Sequence, residues 1–247
     1  MTTHAATLTA PISRRDDLFF GAMGMIIALL VFLGFAPTFF LAARYAGPPL
    51  SVLRIVHGTL FTSWIVLYNV QVLLIANDRV RVHRALGVVG AMMATAMVPL
   101  GIALAITAVR EGHAPPGIPP LSFLAIPLFD MAVFAPLVAA GIYFRRRGDV
   151  HKRLMLLATL SLVAAAVARL SRMVPIPPAV VATGPLFYFG VEDALLIVLA
   201  TYDLVSRGRV HPVTLWGGVF VIGSQAARLA ISGTHGWLAF AALITGR

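Results

Sequence analysis

Seven long apolar stretches, separated by short polar segments, dominate the pattern of hydrophobic and polar positions along this chain. An α-helix needs about 20 predominantly apolar residues to span the hydrocarbon core of a bilayer, and each stretch is long enough. The separators contain the Gly, Pro, Asn and Asp residues that are typical of turns. The pattern therefore predicts an all-α, polytopic membrane protein of seven transmembrane helices. The predicted boundaries are residues 19–43, 53–76, 85–109, 121–144, 154–174, 186–205 and 213–233.

The polar ends of the chain complete the predicted organisation. Residues 1–18 form a predicted N-terminal tail, residues 19–233 the seven-helix transmembrane domain, and residues 234–247 a C-terminal segment. Trp237 and Phe240 indicate that this last segment lies at a membrane interface, where amphipathic aromatic rings are enriched.

Composition agrees with a lipid environment and excludes several functions. The chain is 60% hydrophobic and 11% charged, whereas soluble domains average about 45–50% and about 25%. The net charge of +10 comes from basic residues in short loops between apolar runs, which the positive-inside rule explains without nucleic acid as a partner. The absence of cysteine excludes disulfides, thiolate metal sites and a cysteine nucleophile. The seventh helix has no lysine, which excludes a retinal Schiff base.

The distribution of Lys and Arg predicts the orientation. Cytoplasmic loops of membrane proteins carry an excess of these residues. With the N-terminus in the cytoplasm, twelve of the nineteen fall in predicted cytoplasmic segments. They are Arg14, Arg15, Arg79, Arg81, Arg84, Arg145, Arg146, Arg147, Lys152, Arg153, Arg207 and Arg209. We therefore predict an N-in, C-out protein of the bacterial inner membrane.

A weak repeat suggests one helix followed by three helix pairs. A histidine opens each of the third, fifth and seventh helices, at His83, His151 and His211. Arg169 follows His151 by eighteen residues, and Arg228 follows His211 by seventeen. At 1.5 Å per residue both arginines are expected about 26 Å along parallel helices.

Ionisable residues concentrate in the predicted outer half of the helices. Such residues are costly in a membrane and usually face a bundle interior or a water-filled cavity. We expect Glu192 and Asp193 to pair with Arg169 and Arg228, tying the last three helices together. The candidate ligand-binding residues are Arg54, His57, Trp64, Tyr68, Gln71, Asp130, Arg169, Glu192, Asp193 and Arg228.

Four of these candidates lie along one face of the second helix, together with Phe61. His57, Phe61, Trp64, Tyr68 and Gln71 recur at spacings of four, three, four and three, so they share that face. This face either lines a pocket that runs inward from His57 or packs against neighbouring helices, with the polar side chains as interhelical hydrogen bonds.

The three histidines at predicted cytoplasmic helix ends have two interpretations. His83, His151 and His211 begin their helices at one membrane level, so they are candidate ligands for a transition metal or haem b. The alternative, which we favour, is that they are ordinary interfacial residues that cap helices or bind loops.

Several motifs resemble those of known membrane proteins. The stretch from His57-Gly58 through Trp64 to Gln71, then His83-Arg84 and Leu86-Gly87, resembles an uncharacterised seven-helix family of proteobacterial inner-membrane proteins. The segment from Tyr202-Asp203 through Gly208-Arg209 to His211-Pro212 and Gly217 is similar to the same family. This resemblance covers most of the chain and implies no particular activity. The run from His83 to Gly87 also resembles, more remotely, the two-haem transmembrane cytochromes b. These need histidines paired on both membrane faces, whereas the outer side here offers only His57 within a helix.

Three functions remain open from the sequence. The one we favour is a membrane-embedded binding or sensing protein with a polar pocket in its outer half. This pocket suits an amphipathic anionic ligand such as a membrane lipid, a quinone-like molecule or haem, because arginine offers a planar fork to carboxylate or phosphate. The alternatives are a haem- or metal-dependent redox protein and a small transporter built from repeated helix pairs. The sequence does not indicate an oligomeric state.

Overall fold

The computed structural model describes residues 14–45, 49–115 and 117–247, and these residues are almost entirely helical, with no strand among them. Seven of the helices are long and apolar enough to cross a membrane, so the predicted all-α, multi-pass architecture is confirmed. We label the spans α1 to α7 and the short helix that follows them α8. Their bounds are Arg14–Phe40 (α1), Val52–Ala76 (α2), Val80–Arg110 (α3), Pro120–Tyr143 (α4), Gly148–Val167 (α5), Pro185–Arg207 (α6), Pro212–Ile231 (α7) and His235–Thr245 (α8).

The ends of the helices follow local rules of backbone chemistry. Proline occupies the first turn of α4, α6 and α7, where its missing N–H costs no hydrogen bond. The Ser51 hydroxyl caps α2 by accepting from the backbone N–H of Arg54, at 3.4 Å. Gly208 ends α6 in the left-handed conformation, with φ of 71°, which glycine adopts without steric cost. A bilayer cannot hydrogen bond backbone groups, so such satisfaction within each span is required.

α5 is the central helix of the bundle. In its apolar stretch 72% of the residues are buried, against 17–44% in the other spans. It packs against α1, α4 and α7, and Gly34 of α1 lies directly against the backbone of Ala166. A side chain at position 34 would collide with that backbone, so the close crossing of α1 and α5 requires glycine.

The end of α5 differs from the predicted helix over 154–174. From Val163 onward several backbone hydrogen bonds join residues three apart, including the one from Arg169 N–H to the Ala166 carbonyl at 3.0 Å. The helix ends at Val167 and a 3₁₀ turn follows over Leu170–Arg172. The Ser161 hydroxyl bonds to the Ala158 carbonyl, a local interaction that competes with the regular helical ladder.

The predicted interfacial segment at the C-terminus is helical. The Thr234 hydroxyl caps α8, and the indole N–H of Trp237 donates to the Leu121 carbonyl at 3.0 Å. Arg110, at the end of α3, donates to the Thr245 carbonyl at 2.9 Å. α8 therefore binds the ends of α3 and α4 on the side of the bundle opposite to the start of α1. We call these two sides the C-terminal side and the N-terminal side.

Candidate functional site

Arg169 follows the last residue of α5 by two positions, on the C-terminal side of the bundle. The backbone there is wound more tightly than an α-helix and places Arg169 against α1. Its guanidinium donates to the Ala165 carbonyl and lies over the ring of Phe35, 4.9 Å from the centroid. No carboxylate lies within 4 Å of it in the described part of the chain. The expected pairing of Arg169 with Glu192 or Asp193 is therefore wrong. The arginine keeps an uncompensated charge.

Two further polar groups with no partner lie where α1 and α2 meet. The Nδ1 atom of His57 and the hydroxyl of Thr38 are buried, and neither has a hydrogen-bond partner among the described residues. The His57 ring stacks on Phe61, with centroids 4.0 Å apart, and the charge of Arg169 acts on it. Buried polar atoms are nearly always hydrogen-bonded in native proteins, so each exception calls for an explanation.

The packing of α1 on α2 holds these groups in place. α1 ends in a π-helical turn over Ala36–Phe40, a feature that is frequent at functional sites. The ring of Phe39 lies directly against Gly58. Thr38 lies three residues after Phe35, whose ring contacts Arg169, and residues three apart share a helix face. The charge of Arg169 also acts on His57. We define Arg169, His57 and Thr38 as the cationic site.

The remainder of the α2 stripe packs in the core. Trp64 and Tyr68 are 2% and 7% exposed. The Trp64 indole donates to the Thr159 hydroxyl of α5 at 3.3 Å, and the Gln71 amide donates to the His83 carbonyl at 3.2 Å. Packing thus accounts for Trp64, whereas the Tyr68 hydroxyl and Gln71 Oε1 are buried with no hydrogen-bond partner among the described residues. Only the His57 end of the stripe belongs to the cationic site.

Arg228 belongs to a different cluster from Arg169. It forms a buried ion pair with Asp130 of α4, and it donates to the Ser224 hydroxyl at 3.0 Å. The predicted pairing of Arg228 with Glu192 or Asp193 is wrong because α7 packs directly against α4. This packing places the Asp130 carboxylate against the Arg228 guanidinium.

The two acidic residues of α6 lie beside this ion pair without bonding to it. Asp193 accepts a hydrogen bond from the Gln225 amide at 3.1 Å. Glu192 is 2% exposed and lies within electrostatic range of Asp130 and Arg228. We define Asp130, Arg228, Glu192 and Asp193, together with Ser224, Gln225 and Tyr188, as the acidic cluster.

Arg54 lies outside both clusters, and Arg172 lies beside the cationic site, where its charge acts on Arg169. Arg54 forms an ion pair with Glu111, at the end of α3, and Arg172 is exposed. The ten candidate residues are thus divided among two separate sites, a core face and a surface ion pair.

A third cluster, on the N-terminal side, was not predicted as a site. Arg153 and Asp203 form an ion pair in which both side chains are 0% exposed. Asp203 also accepts from the Thr214 hydroxyl at 2.5 Å and from the His211 backbone N–H at 3.2 Å. The sequence predicts Arg153 only as a charge in a cytoplasmic loop. Asp203, a carboxylate on a neighbouring helix near the same membrane face, is the sequence signal of a partner for Arg153.

Another group of charges surrounds this pair on the same side. Asp16 forms ion pairs with Lys152 and Arg207 and accepts from the Tyr202 hydroxyl at 2.5 Å. Each positive charge in this network has a carboxylate partner. Ion pairs on the N-terminal side therefore join α1, α5 and α6. The cationic site has no such ion pair among the described residues.

The three histidines on the N-terminal side do not converge. His83 and His151 are neighbours, with ring centroids 6.1 Å apart, and His151 Nδ1 lies 2.8 Å from the Gly141 carbonyl. His211 is instead the N-cap of α7, accepting from the Val213 N–H at 3.1 Å, and its Nε2 faces Asp149 at 3.3 Å. In the described ranges no three His, Asp or Glu side chains are grouped as a metal would require.

Comparison with protein-family models, with curated proteins and with solved structures gave no match. The resemblances drawn from the motifs accordingly stay predictions.

Proposed function

We propose that this chain is a membrane-embedded binding or sensing protein whose cationic site takes the anionic group of an amphipathic ligand. Arg169 carries the proposal, because it is a membrane-level guanidinium that has no carboxylate partner in the described part of the chain. Taking a charge out of water without a partner is strongly unfavourable. A bound carboxylate or phosphate would supply the missing charge, and the planar guanidinium can hold either with two parallel hydrogen bonds.

The chemistry around Arg169 suits the same ligand. The free Nδ1 of His57 and the free hydroxyl of Thr38 are further hydrogen-bonding groups for anionic oxygens. The rings of Phe35 and Phe61 beside them offer apolar contact to a hydrocarbon or a planar ring. Membrane lipids, quinone-like molecules with an acidic group and haem, through its propionates, belong to this ligand class.

The depth of Arg169 favours a ligand that lies at the membrane interface. It follows Gly148, the first residue of α5, by 21 positions, which corresponds to about 31 Å along a helix. The first six residues of α5 lie beyond the hydrocarbon, so Arg169 lies about 22 Å into a core that is about 30 Å thick. The anionic group would then lie just below the outer head groups, with the apolar part of the ligand deeper in the bilayer. We place this level at the outer face of a bacterial inner membrane, in agreement with the distribution of basic residues.

Native mass spectrometry of the detergent-purified protein tests the proposal. Wild-type protein should retain phosphatidylglycerol, an anionic lipid, in preference to zwitterionic phosphatidylcholine, and Arg169→Gln should remove that preference. Arg172→Gln is the matched control, since it removes an exposed arginine three positions away. Equal retention of both lipids by the wild type, or equal loss in both variants, would contradict the proposal.

The neighbouring rings of His83 and His151 favour one alternative, a haem- or metal-dependent redox protein. The Nδ1 of His83 is buried with no hydrogen-bond partner in the described part of the chain, and imidazole is a common ligand of both groups. Elemental analysis and the visible spectrum of the purified protein decide between the two functions. A stoichiometric metal or a Soret band that is lost in His151→Ala would favour the redox protein.

A further inference from the structure

Glu192 is a buried carboxyl group in the membrane-spanning part of the bundle. It lies seven residues into α6, about 10 Å from the start of that helix, and it is 2% exposed. No cationic nitrogen lies within 4 Å of it among the described residues. Its charge is therefore not neutralised by direct contact.

The charges that face Glu192 come from three helices, and most of them are negative. Asp130 faces it from α4 and Arg228 from α7, while Asp193 adjoins it on α6. The uncharged Gln225 side chain hydrogen-bonds to Glu192, and Tyr188, four residues earlier on α6, shares its helix face.

The acidic cluster holds one positive charge among the described residues, and that charge is not available to neutralise Glu192. Arg228 is already committed to Asp130 by an ion pair and to Ser224 by a hydrogen bond. An ionised Glu192 would add a second negative charge to a buried site that holds one positive charge. Like charges in one low-dielectric site cannot all be accommodated, so one carboxylate takes up a proton.

The hydroxyl of Tyr188 is a second, independent observation, because it is a buried hydrogen-bonding group with no partner among the described residues. The residue is 6% exposed. That hydroxyl lies within electrostatic range of Asp130 and Arg228. A phenol both donates and accepts, so it can bond to a protonated carboxyl group or to a water that delivers the proton.

We infer that Glu192 is a membrane-embedded proton-binding site, protonated at neutral pH while Asp130 stays ionised on Arg228. The bound species is a single proton taken from water by a carboxylate oxygen of Glu192, which becomes a neutral carboxylic acid. This makes the acidic cluster electrically neutral apart from Asp193, which is half-buried. The inference concerns a different site from the one proposed to bind the amphipathic anion, and neither depends on the other.

Infrared spectroscopy of the purified protein in lipid tests this inference. At neutral pH the wild type should show the carbonyl stretch of a protonated carboxylic acid, shifted on exchange into D₂O. Glu192→Gln should abolish this band, and Asp193→Asn, which alters the adjacent acid, should leave it in place. The absence of the band from the wild type, or its survival in Glu192→Gln, would overturn the inference.

The folding of Glu192→Gln is a second test. An amide is nearly the same size and shape as a neutral carboxylic acid, so this variant should have the thermal stability of the wild type at neutral pH. A variant that misfolds at neutral pH would show that an ionised Glu192 is needed, which also contradicts the inference.

Discussion

The ion pair between Arg153 and Asp203 yields the sharpest stability prediction. Both side chains are completely buried, and Asp203→Asn removes the negative charge while keeping an oxygen for the Thr214 hydroxyl and the His211 N–H. Breaking a buried pair by removing one partner typically costs about 3–5 kcal/mol, because the surviving charge is left uncompensated. That is a large part of the roughly 5–15 kcal/mol that stabilises a typical domain.

Unfolding by SDS titration in mixed micelles measures this loss. The control is Asp149→Asn, whose side chain is 47% exposed and should contribute less than about 1 kcal/mol. The double variant Arg153→Met with Asp203→Leu should recover most of the loss, since it removes both charges together. A free energy of unfolding for Asp203→Asn within about 1 kcal/mol of the wild type would refute this account of the N-terminal side.

Three further predictions concern other parts of the molecule. Arg228→Leu should be strongly destabilised in the same titration, and adding Asp130→Leu should partly rescue it; absence of rescue would mean that the pair is not what the arginine stabilises. Cysteine labelling should find residues 145–153 in the cytoplasm and position 115 outside, and labelling of 115 only from the cytoplasm would reverse the orientation. Burial and a neighbouring arginine lower the pKa of His211, whose neutral ring caps α7. The wild type should therefore lose stability progressively below about pH 6.5, and His211→Asn, which keeps a capping side chain, should lose less; identical pH profiles would disprove the cap.

Hydrophobic patterning was sufficient for the seven spans, because lipid requires a long apolar stretch for each crossing. It was weaker at helix ends. α5 begins at Gly148, six residues before the predicted start, since a helix continues through polar residues beyond the hydrocarbon. The break after Val167 adjoins the close crossing with α1 at Gly34, a tertiary contact that no local pattern contains.

The site residues were harder to predict than the fold. The sequence indicated that Arg169, Arg228 and Glu192 lie in the membrane, because charges within apolar runs are conspicuous. The partners predicted for the two arginines, Glu192 and Asp193, were wrong, since partners depend on which helices are neighbours. The contact between α7 and α4 places Asp130 against Arg228, whereas Arg169 has no carboxylate within 4 Å among the described residues. The same limit hid the pair of Arg153 and Asp203, since Arg153 lies in a predicted loop and Asp203 in the last turn of the predicted sixth helix.

A density map of the protein in nanodiscs of phosphatidylglycerol tests directly whether the cationic site binds an anionic ligand. We expect head-group density within hydrogen-bonding distance of the Arg169 guanidinium and of His57 Nδ1, with the acyl chains beside Phe35 and Phe61. A map in which the guanidinium reaches water, with no lipid or other anion against it, would contradict a ligand-binding role for the cationic site.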